Sequence, residues 1–314
     1  MKKEDLRIVF MGTPEFAETA LRKVVESGFN VVGVVTMPDK PMGRHGSVLQ
    51  SSPVKKYAQS VNIPVLQPEK LKSPDFLQEL ADLKADIQIV VAFRMLPEQV
   101  WNMPPMGTFN LHASLLPQYR GAAPIQWAII DGEEVTGVTT MQMNEGLDTG
   151  DMLLKTIVPI EAKETGGSLF DKLAAEGAKL CVETLEALEN KTASWEPQGE
   201  TPTAYARMLD KEIGNIKWEK TAVQIERLIR GLNPWPSAYT DWNGKVMKIW
   251  EADVVDKNNE AVPGTIVKVE KDGFYVQTGD GQIKVTALQI PGKKRMEADA
   301  FLRGYQIEEG TLLR

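Results

Sequence analysis

Short apolar runs alternate with amphipathic segments through the first third of the chain. Leu6–Met11, Val31–Thr36 and Asp86–Phe93 are predicted to be buried strands, and residues 15–27 and 73–83 have apolar positions at helical spacing. Strands that alternate with helices are typical of a parallel sheet covered by helices on both faces. The pattern therefore predicts an α/β fold with a Rossmann-like, mostly parallel sheet.

The middle of the chain continues this pattern. Residues 107–113, Gly137–Met143 and Met152–Ile160 are predicted to be three further strands. Ser168–Leu188 has the apolar spacing of a long amphipathic helix. Residues 190–207 contain proline and glycine between polar residues, so they are predicted to form a linker.

The pattern changes after the linker. A helix is predicted over Thr221–Leu232, followed by short alternating strands with turns at Asn243-Gly244, Asp272-Gly273 and Asp280-Gly281. This order predicts a second, smaller domain formed by an antiparallel β-barrel. The expected division is a Rossmann-like domain at residues 1–189, the linker at 190–207 and the barrel domain at 208–314.

The turn after the first predicted strand has the sequence Gly12-Thr13-Pro14-Glu15. Thr13 is predicted to be the N-cap of the following helix, with Pro14 at the first helical position. The turn lacks the second and third glycines of the dinucleotide-binding fingerprint, and Glu15 would repel a phosphate. We therefore expect helix capping here and no nucleotide.

The segment Met37–Pro53 is rich in proline, glycine and serine and carries Lys40, Arg44 and His45. It is long for a connection between a strand and a helix. Long loops of this kind are either functional or flexible, and the sequence leaves both interpretations open.

Composition is that of an ordinary soluble protein, with 42% hydrophobic and 25% charged residues among 314. No run of 18 apolar residues occurs, so no membrane span is expected. One cysteine and a polar N-terminal stretch favour a cytoplasmic location. Residues 1–207 hold 20 Lys and Arg against 27 Asp and Glu, and residues 208–314 hold 16 against 16. This balance does not by itself indicate a nucleic-acid partner.

The chain has two histidines, His45 and His112, and one cysteine, Cys181. A zinc site usually needs three or four such ligands, so no metal is expected. Cys181 lies among the apolar positions of a predicted helix and is expected to be inert. Asn110 and His112 are two residues apart on a predicted strand, so their side chains point to the same face. Spacing alone leaves open whether His112 is catalytic or a core histidine.

Seven short motifs carry a family resemblance. They are Asn-x-His-x-Ser-Leu-Leu-Pro at 110–117, Arg-Gly-Ala-Ala-Pro-Ile at 120–125, Asp-Thr-Gly at 148–150, Phe-Met-Gly-Thr-Pro-Glu-Phe-Ala at 10–17, Pro-Asp-Lys-Pro-Met-Gly-Arg at 38–44, Met-Gln-Met at 141–143 and Asn-Pro-Trp-Pro at 233–236. The chain resembles the 10-formyltetrahydrofolate-dependent formyltransferases over both predicted domains. Within that family it is most similar to the members that act on methionyl-tRNA.

The resemblance implies an enzyme that transfers the formyl group from N10 of 10-formyltetrahydrofolate to the α-amine of methionine on initiator tRNA, for translation initiation. The family's catalytic triad falls on Asn110, His112 and Asp148. Asn110 and a protonated His112 would donate hydrogen bonds to the formyl oxygen as charge develops there. Asp148 would orient His112 and help to move a proton from the attacking nitrogen.

The resemblance also implies binding residues. The segments expected to contact the folate are Phe93-Arg94-Met95 and Ser114-Leu115-Leu116-Pro117. Arg44 matches an arginine that approaches the tRNA in the family. The residues after Arg44 include no lysine, unlike many relatives, which shifts the expected phosphate contacts to Arg44 and the second domain.

The expected partners are the folate and initiator methionyl-tRNA, with no membrane and a monomeric enzyme. Two alternatives are sister formyltransferases that act on glycinamide ribonucleotide or on an amino-sugar nucleotide. A third is a non-catalytic RNA-binding protein on a Rossmann scaffold, which the complete triad disfavours. A nicotinamide oxidoreductase is disfavoured because the glycine fingerprint is missing.

Overall fold

The computed structural model describes residues 2–314, and within that range the chain divides into two compact units. The first contains residues up to 121 together with 135–159 and 170–205, and the second contains 122–134, 160–169 and 206–314. The two units therefore alternate along the chain, whereas the predicted domains follow one another. Whether residues 1–189 and 208–314 fold independently stays a prediction.

A mostly parallel sheet is the centre of the first unit. Its part of the chain contains β1 (Arg7–Gly12), β2 (Asn30–Val35), β3 (Lys40–Met42), β4 (Val48–Gln50), β5 (Val65–Leu66), β6 (Ile87–Val91), β7 (Thr108–His112), β8 (Val135–Gln142) and β9 (Met152–Pro159). Among the described residues the sheet has the order β5-β2-β1-β6-β7-β8-β9. The first five strands are parallel, and β8 and β9 are each antiparallel to the preceding strand. The predicted Rossmann-like sheet is confirmed.

Helices cover this sheet or belong to the second unit. Along residues 2–314 they are α1 (Glu15–Glu26), α2 (Pro53–Ser60), α3 (Pro74–Asp82), α4 (Glu98–Trp101), α5 (Pro124–Ile130), α6 (Gly166–Glu189), α7 (Ala222–Gly231) and α8 (Ala298–Gly304). Helix α1 buries Phe16, Ala20, Leu21 and Val24, which form one apolar stripe because they recur at helical spacing. The predicted helices over 15–27, 73–83, 168–188 and 221–232 are confirmed to within two residues at each end.

The predicted cap at Thr13 is wrong. Pro14 precedes the first helical residue of α1, and no side chain in the described part of the chain caps the N-terminus of that helix. The Thr13 hydroxyl instead accepts a hydrogen bond from the Met37 N–H at 3.3 Å and lies 3.4 Å from the Thr36 hydroxyl. Thr13 thus connects the end of β1 to the end of β2, a long-range contact that a local sequence pattern does not reveal.

The segment Met37–Pro53 is structured. Strands β3 and β4 pair in it as an antiparallel hairpin, with a short 3₁₀ turn at Arg44–Gly46. Gly43 and Gly46 have φ values of +81° and +66°, a conformation that favours glycine. The base of the hairpin is held by Asp39, which accepts hydrogen bonds from Lys55 at 2.9 Å and from Gln67 at 2.8 Å. The hydrogen bond from the Lys55 ammonium, with that from Gln67, lowers the pKa of Asp39.

An antiparallel sheet forms the second unit. Its strands, among the described residues, are β10 (Ala238–Trp242), β11 (Lys245–Val255), β12 (Ile266–Glu270), β13 (Gly273–Gln277), β14 (Gln282–Gln289) and β15 (Met296–Glu297). Their order is β10-β11-β14-β13-β12, with β15 paired to β14. The three predicted turns each connect consecutive strands. The core includes Phe274, Ile283 and Phe301, all fully buried.

Residues 310–314 join the two outer strands of this sheet. On one side the Ile266 N–H donates to the Thr311 carbonyl at 2.8 Å, and the Leu313 N–H donates to the Gly264 carbonyl at 2.8 Å. On the other side the Asp241 N–H donates to a backbone oxygen of Arg314 at 2.6 Å. One short segment therefore hydrogen-bonds beside both outer strands of the antiparallel sheet, and closure of this sheet into a barrel stays a prediction.

Within residues 2–314, no helix is both long enough and apolar enough to cross a membrane.

Candidate active site

Strand β7 positions Asn110 and His112. It lies between β6 and β8, so its backbone is held on both sides, with Asn110 opposite Met141 and His112 opposite Thr139 on β8. Asn110 is half-buried, and its amide has no hydrogen-bond partner in the part of the chain that the structure describes. Since residues two apart on a strand share a face, a free amide lies beside a histidine. The amide is therefore free to donate to or accept from another molecule.

The His112 ring is fixed through its Nε2 atom. Nε2 lies 2.8 Å from the carbonyl oxygen of Tyr119. A carbonyl only accepts, so Nε2 carries the proton in this hydrogen bond. The carbonyl is held in turn because the Tyr119 N–H donates to the Thr203 hydroxyl at 2.8 Å. The remaining ring nitrogen, Nδ1, is then the one that can exchange a proton during a reaction.

Asp148 faces Nδ1 of His112. Its Oδ1 lies 3.7 Å from Nδ1, which is within ion-pair range for a protonated ring but longer than a hydrogen bond. Its Oδ2 accepts a hydrogen bond from the Gly121 N–H at 2.9 Å. Both side chains are more than nine-tenths buried, so water screens their interaction poorly. The structure thus brings His112 and Asp148 together from positions 36 residues apart in the sequence.

The loop that carries Asp148 has a constrained backbone. Asp148 has a φ of +56°, in the left-handed region that side chains other than glycine, asparagine and aspartate rarely adopt. At Gly150 a Cβ atom would lie 1.6 Å from the Gln142 carbonyl oxygen, so only glycine fits there. The backbone conformation at Asp148 and the close approach of Gln142 at Gly150 therefore explain why aspartate and glycine occupy the first and last positions of the Asp-Thr-Gly motif.

The segment Ser114–Pro117 follows β7 and is held by two side chains. The Thr139 hydroxyl donates to the Ser114 carbonyl at 2.7 Å and accepts from the Leu116 N–H at 3.2 Å. The Lys155 ammonium donates to the Leu116 carbonyl at 2.6 Å. Ser114 and Leu116 are fully buried, and the Ser114 hydroxyl donates to the Gln118 carbonyl at 2.6 Å. Leu115 and Pro117 are only half-buried, so these two side chains are the more accessible of the four.

The loop Phe93–Met95 follows β6, the parallel neighbour of β7, so both loops leave the same edge of the sheet. The Arg94 guanidinium donates to the Pro68 and Glu69 carbonyls at 2.8 and 3.0 Å and lies 5.0 Å from the Phe93 ring. Its buried Nε has no hydrogen-bond partner within residues 2–314, and burial lowers the pKa of Arg94. A cavity of about 690 Å³ lies here, lined by Lys70, Leu71, Lys72, Arg94, Met95, Leu96, Pro97, Glu98 and Gln99.

Arg44 lies in the turn of the β3–β4 hairpin. The turn is exposed, and Met42, Val48 and Leu49 on the hairpin are at least half exposed. The structure therefore presents Arg44 on an exposed, partly apolar surface.

Neither a metal cluster nor a reactive thiol is found. The described residues contain no group of three His, Cys, Asp or Glu side chains arranged to hold a metal ion. Cys181 is fully buried, and burial raises the pKa of its thiol to about 12. The predicted core position of Cys181 is confirmed, and its lack of reactivity stays a prediction.

Sequence analysis missed four residues that support this site: Tyr119, Arg120, Thr139 and Gln198. Tyr119 and Thr139 act through a backbone carbonyl and a buried hydroxyl, which leave no local pattern. Arg120 begins the Arg-Gly-Ala-Ala-Pro-Ile motif, whose sequence alone does not indicate a role for the arginine. Gln198 lies in the predicted linker, where its hydrogen bonds to Asp148 and Gly150 could not be expected.

Comparison with known proteins gives two kinds of match. Residues 6–185 match the family described as formyl transferase, and residues 208–306 match the formyl transferase C-terminal domain. A methionyl-tRNA formyltransferase of Agathobacter rectalis is 53% identical over 307 residues, covering 98% of this chain and 99% of that protein. The one of Clostridioides difficile is 47% identical, covering 98% and 100%.

Solved structures show the same fold at lower identity. An N-formyltransferase from Helicobacter canadensis, in complex with folinic acid and dTDP-3-aminofucose, has a TM-score of 0.67 and 22% identity, covering 89% of this chain and 98% of that one. HypX from Aquifex aeolicus, in complex with tetrahydrofolic acid, has a TM-score of 0.62 and 18% identity, covering 98% of this chain and 50% of that one. At these identities the likeness concerns the fold alone.

Proposed function

The chain belongs to the formyl transferase family, and from that membership we propose that it transfers the formyl group of 10-formyltetrahydrofolate to the α-amine of methionine on initiator tRNA. The observation that carries this proposal is the match to methionyl-tRNA formyltransferases at about half identity along nearly the whole of both chains. A relative that shared only the folate-binding half would not cover residues 208–314. The catalytic cluster and the second unit are thus matched together.

Asn110 stabilises the charge that develops during transfer. The folate, when bound, supplies the formyl group on its N10 nitrogen. As the amine of the aminoacyl-tRNA attacks the formyl carbon, negative charge gathers on the formyl oxygen. The Asn110 amide, which has no hydrogen-bond partner among the described residues, donates to that oxygen, and one such donor contributes about two to three orders of magnitude to a rate.

His112 and Asp148 control the proton. Because Nε2 of His112 is committed to the Tyr119 carbonyl, Nδ1 is the nitrogen that donates to the developing oxyanion or exchanges a proton with the reacting nitrogen. Asp148, whose Oδ1 lies 3.7 Å from Nδ1, orients the ring and helps to take the proton that leaves the amine. The substrate amine itself attacks, so the site needs no protein nucleophile. The bond between the formyl carbon and N10 then breaks, and the proton taken from the amine is passed to N10, so that tetrahydrofolate leaves.

The folate fits between the loops that follow β6 and β7. In parallel sheets, ligands bind outside the carboxyl ends of the strands, where these loops lie. Arg94 and Met95 border an open cavity of about 690 Å³, a volume that suits a molecule of this size, and Phe93 precedes them in the same loop. From the adjacent loop, Leu115 and Pro117 offer apolar contacts, while buried Ser114 and Leu116 fix the backbone.

The tRNA binds through Arg44 and the second unit. Arg44 is exposed on the hairpin, where a guanidinium can contact a phosphate. In the proposed division, residues 1–189 are the catalytic domain, 190–207 the linker and 208–314 the tRNA-binding domain. The enzyme acts in the cytoplasm as a monomer.

The test is a formyl-transfer assay with four acceptors. The purified full chain and 10-formyltetrahydrofolate are mixed with initiator methionyl-tRNA, elongator methionyl-tRNA, glycinamide ribonucleotide or an amino-sugar nucleotide. We expect rapid transfer to the initiator and slow transfer to the other three, with His112→Ala as the inactive control. Preference for either small acceptor would refute the proposal in favour of a sister formyltransferase.

A further inference from the structure

The loop that carries Asp148 is fastened by one side chain from outside it. The Gln198 amide nitrogen donates to the Asp148 carbonyl at 2.9 Å and to the Gly150 carbonyl at 2.7 Å. These two carbonyls flank Thr149, so a single amide group fixes the curvature of the Asp-Thr-Gly motif. An amide nitrogen has two hydrogens, and both are used here.

The orientation of the Gln198 amide is itself fixed. Its Oε1 accepts from Nε and Nη2 of Arg120 at 3.1 and 2.9 Å, and Nη2 of Arg120 also donates to the Gly199 carbonyl at 3.1 Å. A guanidinium can only donate, so the oxygen of the amide must face Arg120 and the nitrogen must face the loop. Arg120 thereby fixes the orientation of the Gln198 side-chain amide, with its nitrogen toward the loop that carries Asp148.

Two routes from the same dipeptide meet at Asp148. The Gly121 N–H binds the carboxylate directly at 2.9 Å, and Arg120 holds the backbone of Asp148 through Gln198. The segment that carries Gln198 is anchored near β9, because Glu196 and Met152 exchange backbone hydrogen bonds of 2.7 and 2.8 Å. The side chain of Asp148 is therefore held by Gly121, and its backbone is held by Gln198, which Arg120 orients.

Asp148 needs such support for two reasons. Its φ of +56° is unfavourable for a residue with a side chain, so the surrounding structure has to stabilise it. Its carboxylate is 3.7 Å from His112, a spacing at which a shift of 1 Å would make or break direct contact. A misplacement of about 1 Å at a reacting group can lower a rate about 100-fold.

We propose that Gln198, oriented by Arg120, is a positioning residue for formyl transfer, which acts by holding Asp148 beside His112. This inference rests on the proposed function of the His112–Asp148 pair. Among the described residues Gln198 makes no hydrogen bond to the His112 ring or the Asp148 carboxylate, so it acts on the reaction indirectly, through the backbone of the loop that carries Asp148.

The test is a double-mutant cycle on the full chain with initiator methionyl-tRNA. Gln198→Ala is expected to lower kcat about 10- to 100-fold while KM for each substrate changes less than about twofold. In an Asp148→Asn background, the same change is expected to lower kcat less than about twofold further. Glu200→Gln, an exposed neighbour in the same segment, is the matched control and should leave kcat unchanged.

The outcomes separate two kinds of failure. If Gln198→Ala lowers kcat by the same factor with and without Asp148, its role is general folding support and the inference is overturned. If Asp148→Asn alone keeps near-normal kcat, the proposed chemistry fails first. Where Gln198→Ala does not fold, Gln198→Met keeps the side-chain length without the donor and is held to the same criterion.

Discussion

Replacing Thr139 by valine should loosen the segment after β7 without removing any group that reacts. The Thr139 hydroxyl is fully buried and makes one hydrogen bond to the Ser114 carbonyl and one from the Leu116 N–H. Valine has nearly the same shape, so Thr139→Val removes these two bonds and creates no cavity. Both backbone groups belong to buried residues and would find no replacement partner in the segment.

The magnitude follows from these two groups. A buried polar group that loses its partner costs about 1–3 kcal/mol, so two should lower the free energy of unfolding by about 2–4 kcal/mol after partial relaxation. If the loss leaves the ordered segment about 1.4 kcal/mol less stable than its other conformations, its competent fraction falls to about one tenth. The apparent affinity for the folate then falls by the same factor.

Thr140→Val is the matched control. Thr140 is equally buried on the same strand, and its hydroxyl bonds Thr184 at 2.9 Å and the Leu154 N–H at 3.3 Å. Adjacent strand residues face opposite sides, so Thr140 does not touch the segment 114–117.

Urea unfolding and steady-state kinetics with the folate varied separate the two variants. Both should lose comparable stability, while only Thr139→Val should raise KM for the folate about tenfold with KM for the tRNA unchanged. An equal rise of KM in both variants, or none in Thr139→Val, would refute the reasoning.

Three further predictions concern the site and its surroundings. His112→Ala and Asp148→Ala should each lower kcat by about two or more orders of magnitude with a folded chain by circular dichroism; a loss under tenfold in either would contradict the proposed chemistry. Arg44→Ala should raise KM for the tRNA several-fold more than KM for the folate, because the substitution removes a phosphate contact. Lys40→Ala on the same hairpin is the comparison, and an unchanged KM for the tRNA in Arg44→Ala would show that Arg44 does not contact the tRNA. Cys181, with a pKa near 12, should resist thiol reagents at pH 8 until urea unfolds the chain; fast native labelling would contradict its burial.

The sequence predicts the regular elements well because their information is local. Short apolar runs in the sequence correspond to the strands β1, β2, β6 and β7. The start of α7 has a local signal as well, because Thr221 and Gln224 form a capping box at its N-terminus. The alternation of apolar and polar positions does not predict which distant segments contact each other. The prediction for Thr13 failed because its hydroxyl bonds Met37, 24 residues away, instead of the adjacent helix.

The hairpin between β2 and α2 shows a second limit. The abundance of proline, glycine and serine in Met37–Pro53 left order and flexibility equally open. Order comes from Lys55 and Gln67, which hold Asp39 at the base of the hairpin.

The same limit applies to the candidate site. Asn110, His112 and Asp148 come from a motif, and the role of each stays a prediction until it is assayed. The supporting contacts are invisible in the sequence, since Tyr119 acts through its backbone and Gln198 through a side chain in a stretch that has the composition of a linker. The composition of residues 190–207 indicates an exposed segment, but it does not indicate that the Gln198 amide donates to the Asp148 and Gly150 carbonyls.

The short segment 310–314 has a consequence for handling the protein. Its hydrogen bonds cover the exposed polar backbone of β10 on one side and of the stretch leading into β12 on the other. Unpaired strand edges readily pair with strands of other molecules. Deleting these few residues would therefore expose the backbone N–H and C=O groups of two strand edges at once. Trimming here would lead to self-association and precipitation even if every reacting group remained in place.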